Sequence, residues 1–235
     1  MLIMLLCVTL SEPATSTKAA TPGASEKTVS LFDGTLANWK ESTFGGQGLV
    51  ETIPAAEDDA DAPILRLGSG DPLTGLKYVG PIDGDGEDPA AARTADPTDA
   101  PAIPRNNYVL RWQARRTLGD DFFCSALFPV DEAVCSVVVG GWGGGVIGLS
   151  SLDGMDASEN ITTNFQLFDD SVWYDFALTV TDEKIVLAID GDEMFEVAPA
   201  DYTISTRIEM EPLTPLGFAT YLSTGELRNI TIERQ

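Results

Sequence analysis

AVCSVVVGGWGGGVIGLSSLDGMDASENITT, Ala133 to Thr163, is the stretch on which the reading of this chain turns. It opens with β-branched residues through Val139, sets five glycines around Trp142, and resumes with an apolar run from Val146 to Leu149. Valine and isoleucine fit a pleated, half-buried surface, so both runs predict strands. Glycine between them permits positive φ and the close approach of another backbone or a ligand. Behind the second run comes a polar tail with Asp153, Asp156, Glu159 and Asn160. Two readings stay open. The stretch is a tight hairpin whose tryptophan caps the core, or a ligand platform in which a flat aromatic face stands beside hydrogen-bonding groups, as sugar recognition requires.

The rest of the composition narrows the choices. A chain of 235 residues with 43% apolar content can fill one large all-β core. Its 37 acidic residues outnumber 14 basic ones, for a formal charge of −23. Such a surface repels phosphate backbones and anionic lipid, which excludes nucleic-acid partners and leaves spare carboxylates for a possible calcium ion. There is no histidine. Serine–histidine and cysteine–histidine nucleophiles and imidazole metal sites are therefore excluded, and any chemistry falls to carboxylates, Tyr, Lys or metal-bound water.

Working outward, Met1 to Leu10 is a short apolar run followed by a Ser/Thr/Ala/Pro-rich linker. It is too short to span a bilayer and predicts a signal-peptide-like segment, with Ala14 and Ser16 at a spacing that suits cleavage, and hence export. Residues 1–28 are read as this segment and linker, and 29–235 as one domain with a loop insertion at about 81–104. That insertion carries five prolines and the acidic run Asp83, Asp85, Glu87, but position 94 is Thr where a calcium loop needs Glu. Cys124 and Cys135 flank Pro129-Val130-Asp131. A hairpin about that turn sets them opposite each other, within disulfide reach in an oxidising compartment; the alternative is two small buried apolar residues.

NYVLRWQARR (107–116) alternates, with Tyr108, Leu110, Trp112 and Ala114 facing a core and Arg111, Gln113 and Arg115 facing away. The cations either pair with carboxylates on a neighbouring strand or line a ligand face. Further strands are expected at Leu49–Ile53, Ile64–Leu67, Leu76–Val79, Trp173–Val180, Ile185–Ile189, Met194–Val197 and Ser205–Met210. Leu216–Leu222 and Leu227–Ile232 are expected to close the chain as a hairpin about Thr224-Gly225. Frequent turns and no sustained 3.6-residue period predict an antiparallel β-sandwich.

LFDG-x-x-x-x-W (Leu31–Trp39), NYVLRWQARR, the Trp173-Tyr174 strand start, the Asp190-Gly191 hairpin and the terminal LRNITIERQ follow one another in an order that resembles the 3-keto-disaccharide hydrolase domain family. The resemblance covers roughly Val29 to Gln235. It implies a concanavalin A-like jelly roll of two curved sheets, the concave one carrying a carbohydrate site. It also implies cleavage of glycosides oxidised at C3, where a base removes the acidified C2 proton and a cation holds the enolate. The family's Glu-x-Gln-Ile-x-Asp strand stands here as Gly148-Leu149-Ser150-Ser151-Leu152-Asp153, so only Asp153 and, loosely, Trp173 carry over.

On that resemblance the base is Asp153, Glu159 or Glu209. Arg111, Arg115 or Arg207 would meet negative charge, Trp142 would stack on the sugar, and Asn160 would contribute a hydrogen bond. The alternatives are a non-catalytic, lectin-like carbohydrate-binding module of the cell envelope and an adhesion domain without a small ligand. Asn160-Ile161-Thr162 and Asn229-Ile230-Thr231 also match the glycan acceptor pattern.

Overall fold

In the computed structural model, which describes residues 28–55, 62–83 and 100–235, alternation of apolar and polar residues becomes two stacked antiparallel sheets. The signal-peptide-like segment, Cys7, and the acidic residues Asp85 and Glu87 lie outside the described residues. The strands are β1 (Thr28–Ser30), β2 (Trp39–Glu41), β3 (Val50–Ile53), β4 (Ile64–Leu67), β5 (Leu73–Tyr78), β6 (Tyr108–Leu118), β7 (Ser125–Val130) and β8 (Ala133–Gly140). They continue as β9 (Val146–Ser150), β10 (Asn164–Phe165), β11 (Tyr174–Val180), β12 (Ile185–Ile189), β13 (Asp192–Val197), β14 (Gly217–Tyr221) and β15 (Thr224–Arg234). One sheet runs β13-β12-β11-β6-β15-β4-β3, with β1 added to β15; the other runs β10-β9-β8-β7-β14-β5-β2.

The core lies between the sheets because one residue in two points there. From β6 come Tyr108, Leu110, Trp112 and Ala114, as the sequence predicts, and β8 sends in Cys135, Val137 and Val139. Trp112 stacks on Phe176 at 5.0 Å between ring centres and meets Phe218 of the opposite sheet edge-on at 5.6 Å. Each such aromatic pair contributes about 0.5–1.5 kcal/mol beyond area burial, so Trp112 ties the layers together.

Three local expectations change. The β7–β8 hairpin turns on Asp131-Glu132, with Asp131 at φ 51°, and pairs Phe128 with Cys135 and Ala126 with Val137. That register carries Cys135 away from Cys124. Both thiols are free and buried, and burial pushes the Cys135 thiol up to about 12 and raises Cys124 as well. The strand expected at Ser205–Met210 is instead an extended arm entering a 3-10 turn, Ile208–Leu213, which lays Met210 and Leu213 onto the outer face of the β8 sheet. Finally, β14 and β15 are not a hairpin: β14 lies between β7 and β5, and β15 between β6 and β4. The link at Leu222-Ser223 crosses from one sheet to the other because both strands bury apolar side chains toward the same core.

Candidate functional site

The outward positions of the β8 sheet are small. Ser136 and Val138 alternate with the core residues of β8, and Gly148 and Ser150 with those of β9. Small side chains make a low floor. Met210 and Leu213 roof part of it, packed with Leu73, Leu127 and Ala219. The uncovered part is a cleft of about 370 Å³, within the range of small-molecule sites, about 300–1,000 Å³. Ser136, Val138 and Ser150 floor it; Phe122, Tyr221 and Leu73 form an apolar side. Asp121 and Trp142 stand at one end, and Asp156, Arg207 and Glu209 at the other.

Trp142 reaches this position through the glycine turn. Gly140, Trp142, Gly143 and Gly144 have φ of 79°, 50°, 87° and 105°. Only glycine adopts such angles readily, so the turn coils left-handed and throws its one large side chain outward. Trp142 is 49% exposed; it does not cap the core. Asp121 braces the turn, its Oδ2 accepting from the Gly143 N–H at 3.4 Å, while its Oδ1 accepts from the Phe122 N–H at 2.8 Å.

The polar tail after β9 is folded by Asn160. Its Nδ2 donates to the carbonyls of Leu149 and Asp156 at 2.7 and 2.8 Å, and its Oδ1 accepts from the Thr162 N–H at 2.9 Å. Asn160 is buried by this work, so it positions the loop rather than facing the cleft, and its amide is not accessible as a glycan acceptor. Asp156 takes the Ser158 N–H and hydroxyl on Oδ1, at 3.0 and 2.7 Å, leaving Oδ2 for Arg207 Nη1 at 3.0 Å. Arg207 Nε reaches Glu209 Oε1 at 2.6 Å. The guanidinium thus bridges the loop and the arm across one end of the cleft.

Of the residues singled out in the sequence, Trp142, Arg207 and Glu209 come together here. Asp153 and Glu159 do not line the cleft; both are exposed, and Asp153 Oδ1 accepts from the Thr203 N–H at 2.7 Å. Arg111 and Arg115 lie on the outer face of the other sheet, correcting the expectation that they gather with Trp142 in one hollow. Strand parity is the reason: with Trp112 and Ala114 committed to the core, residues 111, 113 and 115 must face away from it.

On that second face Arg115 finds the carboxylate anticipated for it. Glu226, fully buried, accepts from Arg115 Nε and Nη2 at 2.7 Å each on one oxygen, and from Arg66 Nε and Nη2 at 2.8 and 2.6 Å on the other. Trp173 lies between Arg115 and Arg228, whose guanidinium carbons stand 4.6 and 4.2 Å from its ring centre. Gln113 donates to Asp175 at 2.7 Å and accepts from Arg228 at 2.8 Å.

The sequence reading placed Asp156 in the polar tail without a role and missed Asp121, Ser150 and Tyr221. Ser150 is notable because its hydroxyl, fully buried on the cleft floor, has no hydrogen-bond partner. The signal for it was the alternation itself, which puts a small polar residue outward after Ile147 and Leu149. Among the described residues no group of three or more carboxylates and thiols is arranged to hold a metal ion, and no helix is long and apolar enough to cross a membrane.

No protein-family model and no curated protein matches this chain. Solved structures do. The Crh5 transglycosylase in complex with NAG is similar with a TM-score of 0.52 at 11% identity, covering 88% of this chain and 84% of that one. Its apo form gives 0.51 at 10% identity, with the same coverage. The carbohydrate-binding module CBM66 from Bacillus subtilis gives 0.46 at 10% identity, covering 83% of this chain and 95% of that one. At such identities the likeness is one of fold: the chain is an all-β, antiparallel jelly-roll sandwich.

Proposed function

We propose that this domain binds carbohydrate in the cleft beneath Trp142. The observation that carries the reading is a half-exposed indole, held out by a left-handed glycine turn, over a floor of small hydroxyl-bearing residues. A pyranose offers one apolar face to such a ring and a rim of hydroxyls to Ser150, Asp121 and Glu209. A neighbour on the same fold named as a transglycosylase in complex with NAG is in keeping with this, as is the apolar opening run that favours export. Binding on a glycan array, lost in Trp142→Ala at unchanged melting temperature, is the expected result. A full glycan panel without a hit refutes the reading.

A catalytic reading is favoured by one feature, the contact of Glu209 with Arg207 inside the cleft. In the keto-glycoside reaction implied by the family resemblance, Glu209 would take the C2 proton of a 3-keto-glycoside. The electron pair would pass into an enolate beside Arg207, the bond from C1 to the glycosidic oxygen would break, and that oxygen would leave with the proton Glu209 had taken. Water then adds across the C1–C2 double bond. Asp153 and Glu159 stand outside the cleft and leave that role to Glu209. Turnover of a 3-keto-glucoside, abolished in Glu209→Gln, is the expected outcome; binding without turnover leaves the domain a lectin-like module.

A further inference from the structure

We infer that the cleft selects sugars carrying a protonated amine and rejects acidic sugars; this rests on the carbohydrate reading and specifies its ligand class. The groups at the cleft carry a formal charge of −2, three carboxylates against one guanidinium. That guanidinium is already paired within the protein. Its Nη1 is held by Asp156 at 3.0 Å and its Nε by Glu209 at 2.6 Å, so its charge is offset by the two carboxylates it touches. A uronate or sulfate entering the cleft would meet two carboxylates in excess, in a chain whose total charge is already −23.

An ammonium group meets the opposite situation at the Trp142 end. Asp121 lies against the glycine turn: its Oδ2 is 3.4 Å from the Gly143 N–H, and a Cβ built on Gly141 would stand 3.8 Å from its Oδ1. A carboxylate beside a half-exposed indole is the pairing that holds an amine, by charge from one side and by the ring's negative face from the other. The floor supplies an independent sign of a polar ligand. Ser150 is fully buried, lines the cleft, and its hydroxyl has no partner among the described residues. A buried hydroxyl without a partner is costly unless something arrives to satisfy it, and a sugar hydroxyl or ring substituent settling on the floor does so.

Calorimetry of the whole chain with three trisaccharides tests this: the β-1,4-linked trimer of glucosamine, the same trimer fully N-acetylated, and a uronic acid trimer. The glucosamine trimer is expected to bind at least about tenfold tighter than its N-acetylated form and to weaken as salt rises, while the uronate shows no binding. Asp121→Asn keeps an oxygen for the Phe122 N–H and should fold normally. It should bring affinity for the glucosamine trimer down to within about threefold of that for the N-acetylated trimer, removing most of the preference; Trp142→Ala should weaken both. Equal or tighter binding of the N-acetylated trimer or the uronate overturns the amine selectivity and leaves carbohydrate binding standing. Failure of all three, together with an empty glycan array, removes the carbohydrate reading itself.

Discussion

On the outer face of the β6 sheet a tryptophan lies between two arginines, and a buried glutamate receives two guanidinium forks. On the outer face of the β8 sheet a tryptophan stands clear of its neighbours over a cleft, and a buried serine has no partner. The residue types are nearly the same: Trp, Arg, carboxylate. What differs is saturation. Trp173, Arg115 and Glu226 spend their capacity on one another, so that face adds stability. Trp142, Asp121 and Ser150 keep theirs, so the other face is fit to take a ligand. An aromatic beside charges therefore marks a site only when its partners are not already within the protein.

The contrast can be broken experimentally. The largest effect is expected at Glu226: Glu226→Ala strips two guanidinium groups of their buried partner and should cost about 3 kcal/mol. That is the low end of the range for a broken buried pair, because Arg66 and Arg115 can still reach water. Chemical denaturation measures it, and a loss below about 1 kcal/mol would mean the network is not what holds that face. Next comes the tryptophan pair. Trp173→Ala removes two cation–π contacts and packed area, about 2 kcal/mol of stability in all, with glycan binding unchanged. Trp142→Ala should do the reverse, with about tenfold weaker binding and a melting temperature within error. If the two variants behave alike, the distinction between the faces fails.

Ser150→Ala sharpens the same point. Deleting a buried hydroxyl without a partner should stabilise the protein by about 1 kcal/mol while weakening ligand binding. Destabilisation would mean that the hydroxyl is already satisfied. The smallest effect is expected at an exposed pair, Asp83 and Arg234 at the end of β15, where Arg234's hydrogen bonds hold the Asp83 carboxyl below its ordinary value. A lowered folded pKa contributes stability above the ordinary value of about 3.9, lost as pH falls through the lowered one. Asp83→Asn should therefore reduce stability at pH 7 by about 0.5 kcal/mol or less and make no difference in strong acid. A larger change at neutral pH would show that exposed pairs matter here as much as buried ones.

Much of the fold was legible before any coordinates. Ile64–Leu67 and Ile185–Ile189 are strands with the bounds their apolar runs suggested. The inward face of Tyr108, Leu110, Trp112 and Ala114 followed from alternation alone. Less of the site was legible. Trp142 was singled out, but as either a cap on the core or a sugar platform, and its exposure of 49% rules out the cap; Arg207 and Glu209 were named without a location. Asp121 sits beside Gly143 only because the chain before β7 and the turn after β8 meet at one end of the sandwich. Cys124 and Cys135 were misaligned for a related reason: the hairpin's pivot, two residues long, sets a register that composition does not announce.

The amino-acid sequence by itself determined what each strand buries, because a period of two leaves each side chain one of two faces, and it determined that imidazole chemistry is absent and the surface anionic. Tertiary structure alone decided which outward positions share a face. That choice put Arg115 with Glu226 and Arg207 with Trp142, since strands adjacent in space here are often far apart in the chain, and their order in the sheet is set by how the whole core closes.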